Sequence, residues 1–248
     1  MSEAEVAGSD IYLNSSVVFE RGKKYLVRAK SGHGKTSLLN FIYGSNLEYT
    51  GEITYSEPVA DPFDLRRRKI SYLFQDLCLF PELTALENVQ IKNRLTGYKS
   101  DKEVADMLDS VLAPEKKHQL LRTLSLGQRQ RVAAVRALCQ PFEFILMDEP
   151  FSHLDRATSE AVAQMILREV EAQNAGMIVT ALETTDIFPF DTILNLGRHA
   201  DTPTTENTHT GTARRLHPDT AGRRRHSAAI STALLRHQAD VDTTNQRV

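Results

Sequence analysis

Between Ala29 and Thr36 the chain reads Ala-Lys-Ser-Gly-His-Gly-Lys-Thr, directly after an apolar run. This spacing fits a loop whose backbone N–H groups curl around phosphates, with glycines where a Cβ would obstruct the turn. The outermost glycine of that pattern is Ala29 here, a small change. In such a loop Ser31, Gly32, His33, Gly34, Lys35, Thr36 and Ser37 would line the phosphates of a nucleotide. Lys35 would neutralise the β- and γ-phosphates, and the Thr36 hydroxyl would ligate Mg²⁺. A helix starting at this point would direct its positive dipole end at the same anion.

A second chemical signal is Asp148-Glu149-Pro150, which closes the apolar run Phe142–Met147. An aspartate at a strand end can hold a metal-bound water, and the next carboxylate can orient or deprotonate an attacking water. Alone, two such acids could equally cap a helix. Downstream of a phosphate loop they become its expected partner. Between the two signals stands Leu124-Ser125-Leu126-Gly127-Gln128, a polar start to a helical pattern.

These residues need elements to position them. Lys24–Ala29 reads as a buried strand ending in a glycine-bearing turn, and Thr36–Tyr43 follows with helical spacing. Glu52–Tyr55, Ile70–Phe74, Phe142–Met147 and Met177–Ala181 read as further strands. Ala85–Leu95, Lys102–Leu112, Gly127–Leu138 and a stretch over Arg156–Glu171 read as helices. Alternating strands and helices predict an α/β fold, a mainly parallel sheet with flanking helices; with the phosphate loop before its first helix it resembles the P-loop NTPase type. No strand pattern occurs between about 84 and 122. An inserted helical subdomain over about 84–140 is therefore expected within a domain spanning 1–197.

Composition narrows the classes. The two cysteines, Cys78 and Cys139, cannot build a disulfide framework and suit a reducing compartment. The first ten residues lack the basic and apolar regions of a secretory signal, and no apolar run reaches the roughly 20 residues of a membrane span. Net charge is −2. Arg66-Arg67-Arg68-Lys69 reads as a solvated rim rather than a nucleic-acid patch, and nucleic acid is not an expected partner. After Gly197 the usage changes: residues 198–248 hold ten Thr, five of the eight His, and no Lys, Phe or Tyr. This low-complexity tail is expected to be mostly disordered, with Ala228–Leu235 its only helix-compatible stretch.

The order of the motifs resembles that of ABC transporter ATPases. It comprises the phosphate loop, Phe74-Gln75, Leu-Ser-Leu-Gly-Gln-Arg-Gln-Arg at 124–131, Leu-Met-Asp-Glu-Pro at 146–150 and Ser-His-Leu-Asp at 152–155. Leu-Thr-Ala-Leu-Glu-Asn-Val at 83–89 resembles the subgroup that powers lipoprotein release and efflux. The resemblance implies an ABC ATPase fold, ATP and Mg²⁺ as ligands, and hydrolysis that drives a separate integral membrane permease. It implies a second copy, or a homologous ATPase subunit, as partner, and a place at the inner face of the cytoplasmic membrane.

Position by position, Glu149, Gln75 and Lys35 would be catalytic. Thr36, Gln75 and Asp148 would hold Mg²⁺, with Gln75 also touching the nucleophilic water and linking the site to the permease. Ser125, Gly127 and Gln128 would meet ATP on the other subunit, with Ser125 and Gly127 reaching its γ-phosphate. Asp155 would connect the two sites, and Cys78-Leu79-Phe80-Pro81 would form part of a cleft for a permease helix. Three departures qualify the picture. Leu126-Gly127 replaces a double glycine. Ala181 stands where the family places a histidine on the γ-phosphate. Tyr12 lies too near the loop to be the family's adenine-stacking aromatic. Slow hydrolysis, or an ATP-gated dimerisation switch, is the alternative these changes favour. A soluble non-transport ATPase of the same fold is the remaining one.

Overall fold

The computed structural model describes residues 8–12, 16–57 and 61–197, together with the backbone of 229–237. Strand β1 (Ser16–Glu20) turns into β2 (Lys24–Arg28), and helix α1 (Lys35–Tyr43) follows the glycine-bearing loop. Next come β3 (Tyr49–Tyr55), a helical turn at Pro62–Asp64, a wide π-type turn at Leu65–Lys69, and β4 (Ile70–Leu73). Helices α2 (Ala85–Arg94), α3 (Asp101–Asp109) and α4 (Leu126–Leu138) precede β5 (Phe144–Asp148). The body ends with α5 (Arg156–Ala172), β6 (Gly176–Ala181) and β7 (Thr192–Asn195).

Five strands make one sheet in the order β4-β5-β6-β2-β7, and every neighbouring pair is parallel. Parallel strands need helical crossovers, so the sheet is covered on both faces. Alternation along the strands divides the core accordingly. Tyr25, Val27, Phe144, Leu146 and Ile178 pack with Leu38, Leu39 and Ile42 of α1. Leu26, Ile145, Met147, Met177 and Val179 pack with α4 and α5 through Val132, Val135, Val162 and Ile166. Each such aliphatic side chain, fully buried, contributes about 1.5–3 kcal/mol.

The middle of the chain is helical. Between β4 and α4 the only pairing among the described residues is one bridge, Thr84 to Leu120. Each α-helix there begins on a capping box, formed by Thr84 with Glu87 for α2, Ser100 with Glu103 for α3 and Ser125 with Gln128 for α4. The reciprocal hydrogen bonds satisfy N–H groups that the first turn leaves open. Helix α3 stops at Asp109, short of the pattern, because Val111 and Leu112 are drawn into the core from a turn.

Two further regions differ from the sequence reading. The Arg66–Lys69 run is only partly a solvated rim. Arg66 donates to the carbonyls of Tyr43 and Gly44 at the end of α1, Arg67 to the Leu95 carbonyl, and Lys69 pairs with Glu57 and Glu143. In the tail, Ala229–His237 is a strand, β8, rather than a helix, and it lies between β1 and β3 in an antiparallel sheet. Two open strand edges offer a ladder to any segment that reaches them, and that opportunity outweighs local helical spacing. The remainder of 198–248 lies outside the described residues.

Gly176 opens β6 where no larger residue fits. A Cβ there would stand 2.3 Å from the buried Phe144 ring and 3.0 Å from the Glu20 carbonyl oxygen. Gly176→Ala should cost about 1–3 kcal/mol by overpacking. Urea unfolding checks this, and Phe144→Leu in the same background should restore part of the loss.

Candidate nucleotide site

The site assembles at the carboxyl ends of β2, β5 and β6, where open parallel sheets place their ligands. After β2 the chain turns through Gly32 and Gly34, both with φ of 78°. That left-handed backbone is strained for residues with a Cβ, which accounts for glycine at both places. A Cβ on Gly32 would meet nothing within 4 Å, so its conformation rather than its space requires glycine. The loop is closed by His33 N–H donating to the Lys30 carbonyl at 3.3 Å, and His33 Nδ1 lies 2.9 Å from the Ser31 carbonyl. Ser31 and Gly32 face outward, and Ser37 continues into α1.

Lys35 is buried at the centre of this turn. Its Nζ donates to the carbonyls of Ala29 at 2.8 Å and Lys30 at 3.1 Å, and lies 3.2 Å from Glu149 Oε1. Thr36 comes next and places its hydroxyl 2.5 Å from Asp148 Oδ2 and 3.5 Å from Gln75 Oε1. The structure thus gathers Lys35, Thr36, Gln75, Asp148 and Glu149 from three separate segments. Thr36, Gln75 and Asp148 present oxygen atoms only, the donor type that Mg²⁺ takes, and few enough to leave room for phosphate oxygens and water. These residues fit that ion.

Sequence reasoning missed the residue that holds the two acids. Thr180 of β6 donates to Asp148 Oδ1 at 2.5 Å, and its hydroxyl and carbonyl oxygens accept from the Glu149 N–H at 3.3 and 3.2 Å. Asp148 is 1% exposed, and an ionised carboxylate so buried needs such donors. The signal was present: Thr180 is the polar residue in an otherwise apolar Met-Ile-Val-Thr-Ala strand. Glu149 itself has φ of 48°, an uncommon backbone for a non-glycine residue, and Pro150 follows it. This kink turns the chain out of the sheet at the residue beside Lys35.

Ser125, Gly127 and Gln128 lie elsewhere, at the start of α4. Ser125 Oγ accepts from the Gln128 N–H at 3.2 Å, while the Ser125 N–H donates to Gln128 Oε1 at 2.9 Å. Leu126 is 39% exposed. Gly127 is packed closely: a Cβ there would meet the His153 carbonyl oxygen at 3.0 Å. A second residue that sequence reasoning missed, Gln130, is buried and links the same segments. Its amide donates to the Pro150 carbonyl at 2.7 Å and accepts from the His153 N–H at 3.2 Å. The helix start is thereby fixed to the loop that leaves Glu149. Asp155 caps α5 through the Thr158 N–H. A cleft of about 210 Å³ runs between these parts, lined by Gln75, Leu77, Leu126, Arg129 and His153.

Ala181 ends β6 beside the loop, and its carbonyl accepts from the Ala29 N–H at 3.2 Å. Tyr12 is buried in the core around α1, and burial raises its hydroxyl well above the ordinary tyrosine range. Cys78 and Phe80 are at the surface, and Leu79 between them is partly buried against the core. Among the described residues no helix is long and apolar enough to cross a membrane.

The family model for ABC transporters matches residues 12–152. Over 189 residues the chain is 33% identical to the glucose import ATP-binding protein GlcV of Saccharolobus solfataricus, covering 71% of this chain and 52% of that relative. The chain thus spans about half the length of that relative. It is 34% identical over 177 residues to the lipoprotein-releasing system ATP-binding protein LolD of Treponema denticola, covering 67% of this chain and 77% of that protein. Among solved structures, the dimeric bacterial ABC transporter cassette MJ0796 aligns with a TM-score of 0.59 at 28% identity. That alignment covers 66% of this chain and 77% of the cassette.

Thr180→Val removes the hydroxyl from Asp148 and leaves a buried carboxylate with one fewer donor. It should destabilise the fold by about 1–3 kcal/mol, measured by denaturant unfolding. ATP affinity, measured by calorimetry, should fall with it.

Proposed function

This chain belongs to the ABC transporter family, and on that premise we propose that it is the ATP-hydrolysing subunit of a transporter, working as a dimer on a separate membrane permease. The observation that carries the proposal is the meeting of Thr36, Gln75 and Asp148 oxygens beside the Lys35–Glu149 pair. Lys35, held by two carbonyls, would exchange them for the β- and γ-phosphate oxygens of ATP. The N–H groups of residues 31–37 would wrap the same phosphates at the start of α1.

Mg²⁺ held by Thr36, Asp148 and Gln75 would draw charge from the phosphate oxygens. Glu149, released from Lys35 by the arriving phosphate, would orient the attacking water and accept its proton. Gln75 would hold that water from the opposite side. Ser125 and Gly127, with Gln128 keeping the helix start in shape, would contact ATP bound to the second subunit. Closure around two ATP molecules and reopening after phosphate release would supply the mechanical step. The permease interaction places the subunit at the inner membrane face. The names of the two relatives cover glucose import and lipoprotein release at nearly equal identity, so similarity does not select a cargo.

A second reading, an ATP-gated dimerisation switch with little hydrolysis, is favoured by Ala181. A methyl group beside the first loop residue cannot stabilise charge on a transferring phosphoryl group, a contact that can be worth several kcal/mol of barrier.

Phosphate release by the purified protein separates the two readings. Glu149→Gln should lower it about a hundredfold while ATP still binds; absence of any Glu149-dependent release would leave only the switch. Ala181→His should raise release roughly tenfold or more. An unchanged rate would show that another group already fills that role.

A further inference from the structure

The buried run Tyr25-Leu26-Val27 of β2 is followed by a charge, Arg28, directly before the phosphate loop. Arg28 is half-buried, and its guanidinium donates only to neutral acceptors. Nε and Nη2 donate to Asn195 Oδ1 at 3.1 and 2.8 Å, and Nη1 donates to Thr184 Oγ1 at 2.7 Å. The Asp10 carboxylate lies behind Asn195, where it accepts from the Asn195 N–H and side-chain amide. Among the described residues Arg28 forms no ion pair.

The sheet register brings this cation to the nucleotide site. Asp148 pairs with Thr180, Thr180 with Val27 and, one rung on, Ala181 with Arg28. Glu149 follows Asp148, so Arg28, Ala181 and Glu149 share the rung at which the chain leaves the sheet. Neighbouring strands lie about 4.8 Å apart, which puts the Arg28 backbone about 10 Å from the end of β5. Paired residues of a parallel sheet point to the same face. Ala181 is therefore the side chain that the guanidinium would cross, and a methyl group does not obstruct it. The Ala29 peptide joins the same place to Lys35: its N–H donates to the Ala181 carbonyl, and its carbonyl accepts from Lys35 Nζ at 2.8 Å. Two carboxylates, Asp148 and Glu149, face one cation there, Lys35. Added phosphate charge favours a second cation.

We propose that Arg28 is a further γ-phosphate ligand, turning from Thr184 and Asn195 to the ATP bound in the same subunit. The proposal rests on the reading of the site as one for ATP, and it adds a cation that the phosphate loop does not supply. Charge-assisted bonds to phosphate are about twice as strong as bonds between neutral groups, and the planar guanidinium fork suits phosphate oxygens. Charge on the phosphoryl group, which the Ala181 methyl cannot stabilise, would be met from the neighbouring strand. Thr184 and Asn195 would take the guanidinium back after phosphate release.

Calorimetry with ATP and with ADP, both with Mg²⁺, reads this contact in the full chain carrying Glu149→Gln, which lets ATP persist. Adding Arg28→Gln should weaken ATP about tenfold and ADP less than about twofold, because only ATP has the γ-phosphate. Arg28→Lys keeps the charge without the fork and should give a smaller loss of the same kind. It also serves if Arg28→Gln fails to fold. Thr184→Val removes a resting partner alone and should leave the preference for ATP unchanged or raised. Equal weakening of ATP and ADP, or weakening of neither, overturns the proposal. So does an equal loss of preference in Thr184→Val, which would make Arg28 only a tie for the loop after β6. Glu149-dependent phosphate release, measured on the otherwise native chain, separates the two failures. If release persists while the preference ignores Arg28, only the Arg28 assignment falls. If release is missing while the preference depends on Arg28, the motor reading falls and the γ-phosphate contact stands.

Discussion

The buried carboxylate of Asp148 is the constraint on which the site depends. It lies at the end of β5 with almost no exposure, and its two oxygens are satisfied by hydroxyls from two other elements. Thr180 brings β6 to it and Thr36 brings the first turn of α1. A charge in that position tolerates little movement, because each lost donor leaves it undersolvated in a low-dielectric surrounding. The register of β5 on β6, with Asp148 opposite Thr180, is therefore both a feature of the sheet and a condition of the chemistry.

From that point the geometry spreads outward. The next residue, Glu149, leaves the sheet through a left-handed backbone and meets Lys35, and the chain then runs through Pro150 and His153. Gln130 holds both of those residues to α4, and Gly127 allows the close approach. The start of α4 and the acidic strand end are therefore one mechanical unit, although Ser125 makes no use of its own chain's Lys35. This arrangement couples the face proposed for a second subunit to the residue proposed to act on water.

The helical middle of the chain contributes differently. Its α-helices begin on capping boxes; α2 and α3 pack on α4, which rests against β4, and Phe80, Ile91 and Leu95 stay exposed. Arg136 of α4 reaches the segment after Gln75 through the Cys78 carbonyl. Ala181 sits at the opposite edge of the site, against Ala29. The chain thus brings together the oxygens and the amine suited to a phosphate site, with the Ala181 methyl group beside them.

The sequence by itself determined the phosphate loop, the acidic pair, the helix starts and the alternation of strands and helices. Those features obey rules that operate within a few residues: glycine for positive φ, Ser or Thr three places before Glu or Gln, and the periods of helix and strand. It also located Gln75 through its motif. Only the tertiary structure decided that Thr180 would hold Asp148, that Gln130 would join α4 to the Pro150 loop, and that Arg66 would cap α1. It also decided that 229–237 would enter a sheet as a strand, because β1 and β3 left edges for it. Each of these depends on a partner between 20 and more than 200 positions away. A polar side chain in an apolar pattern is visible in a sequence, but the donor or acceptor that makes its burial tolerable exists only once the chain has folded.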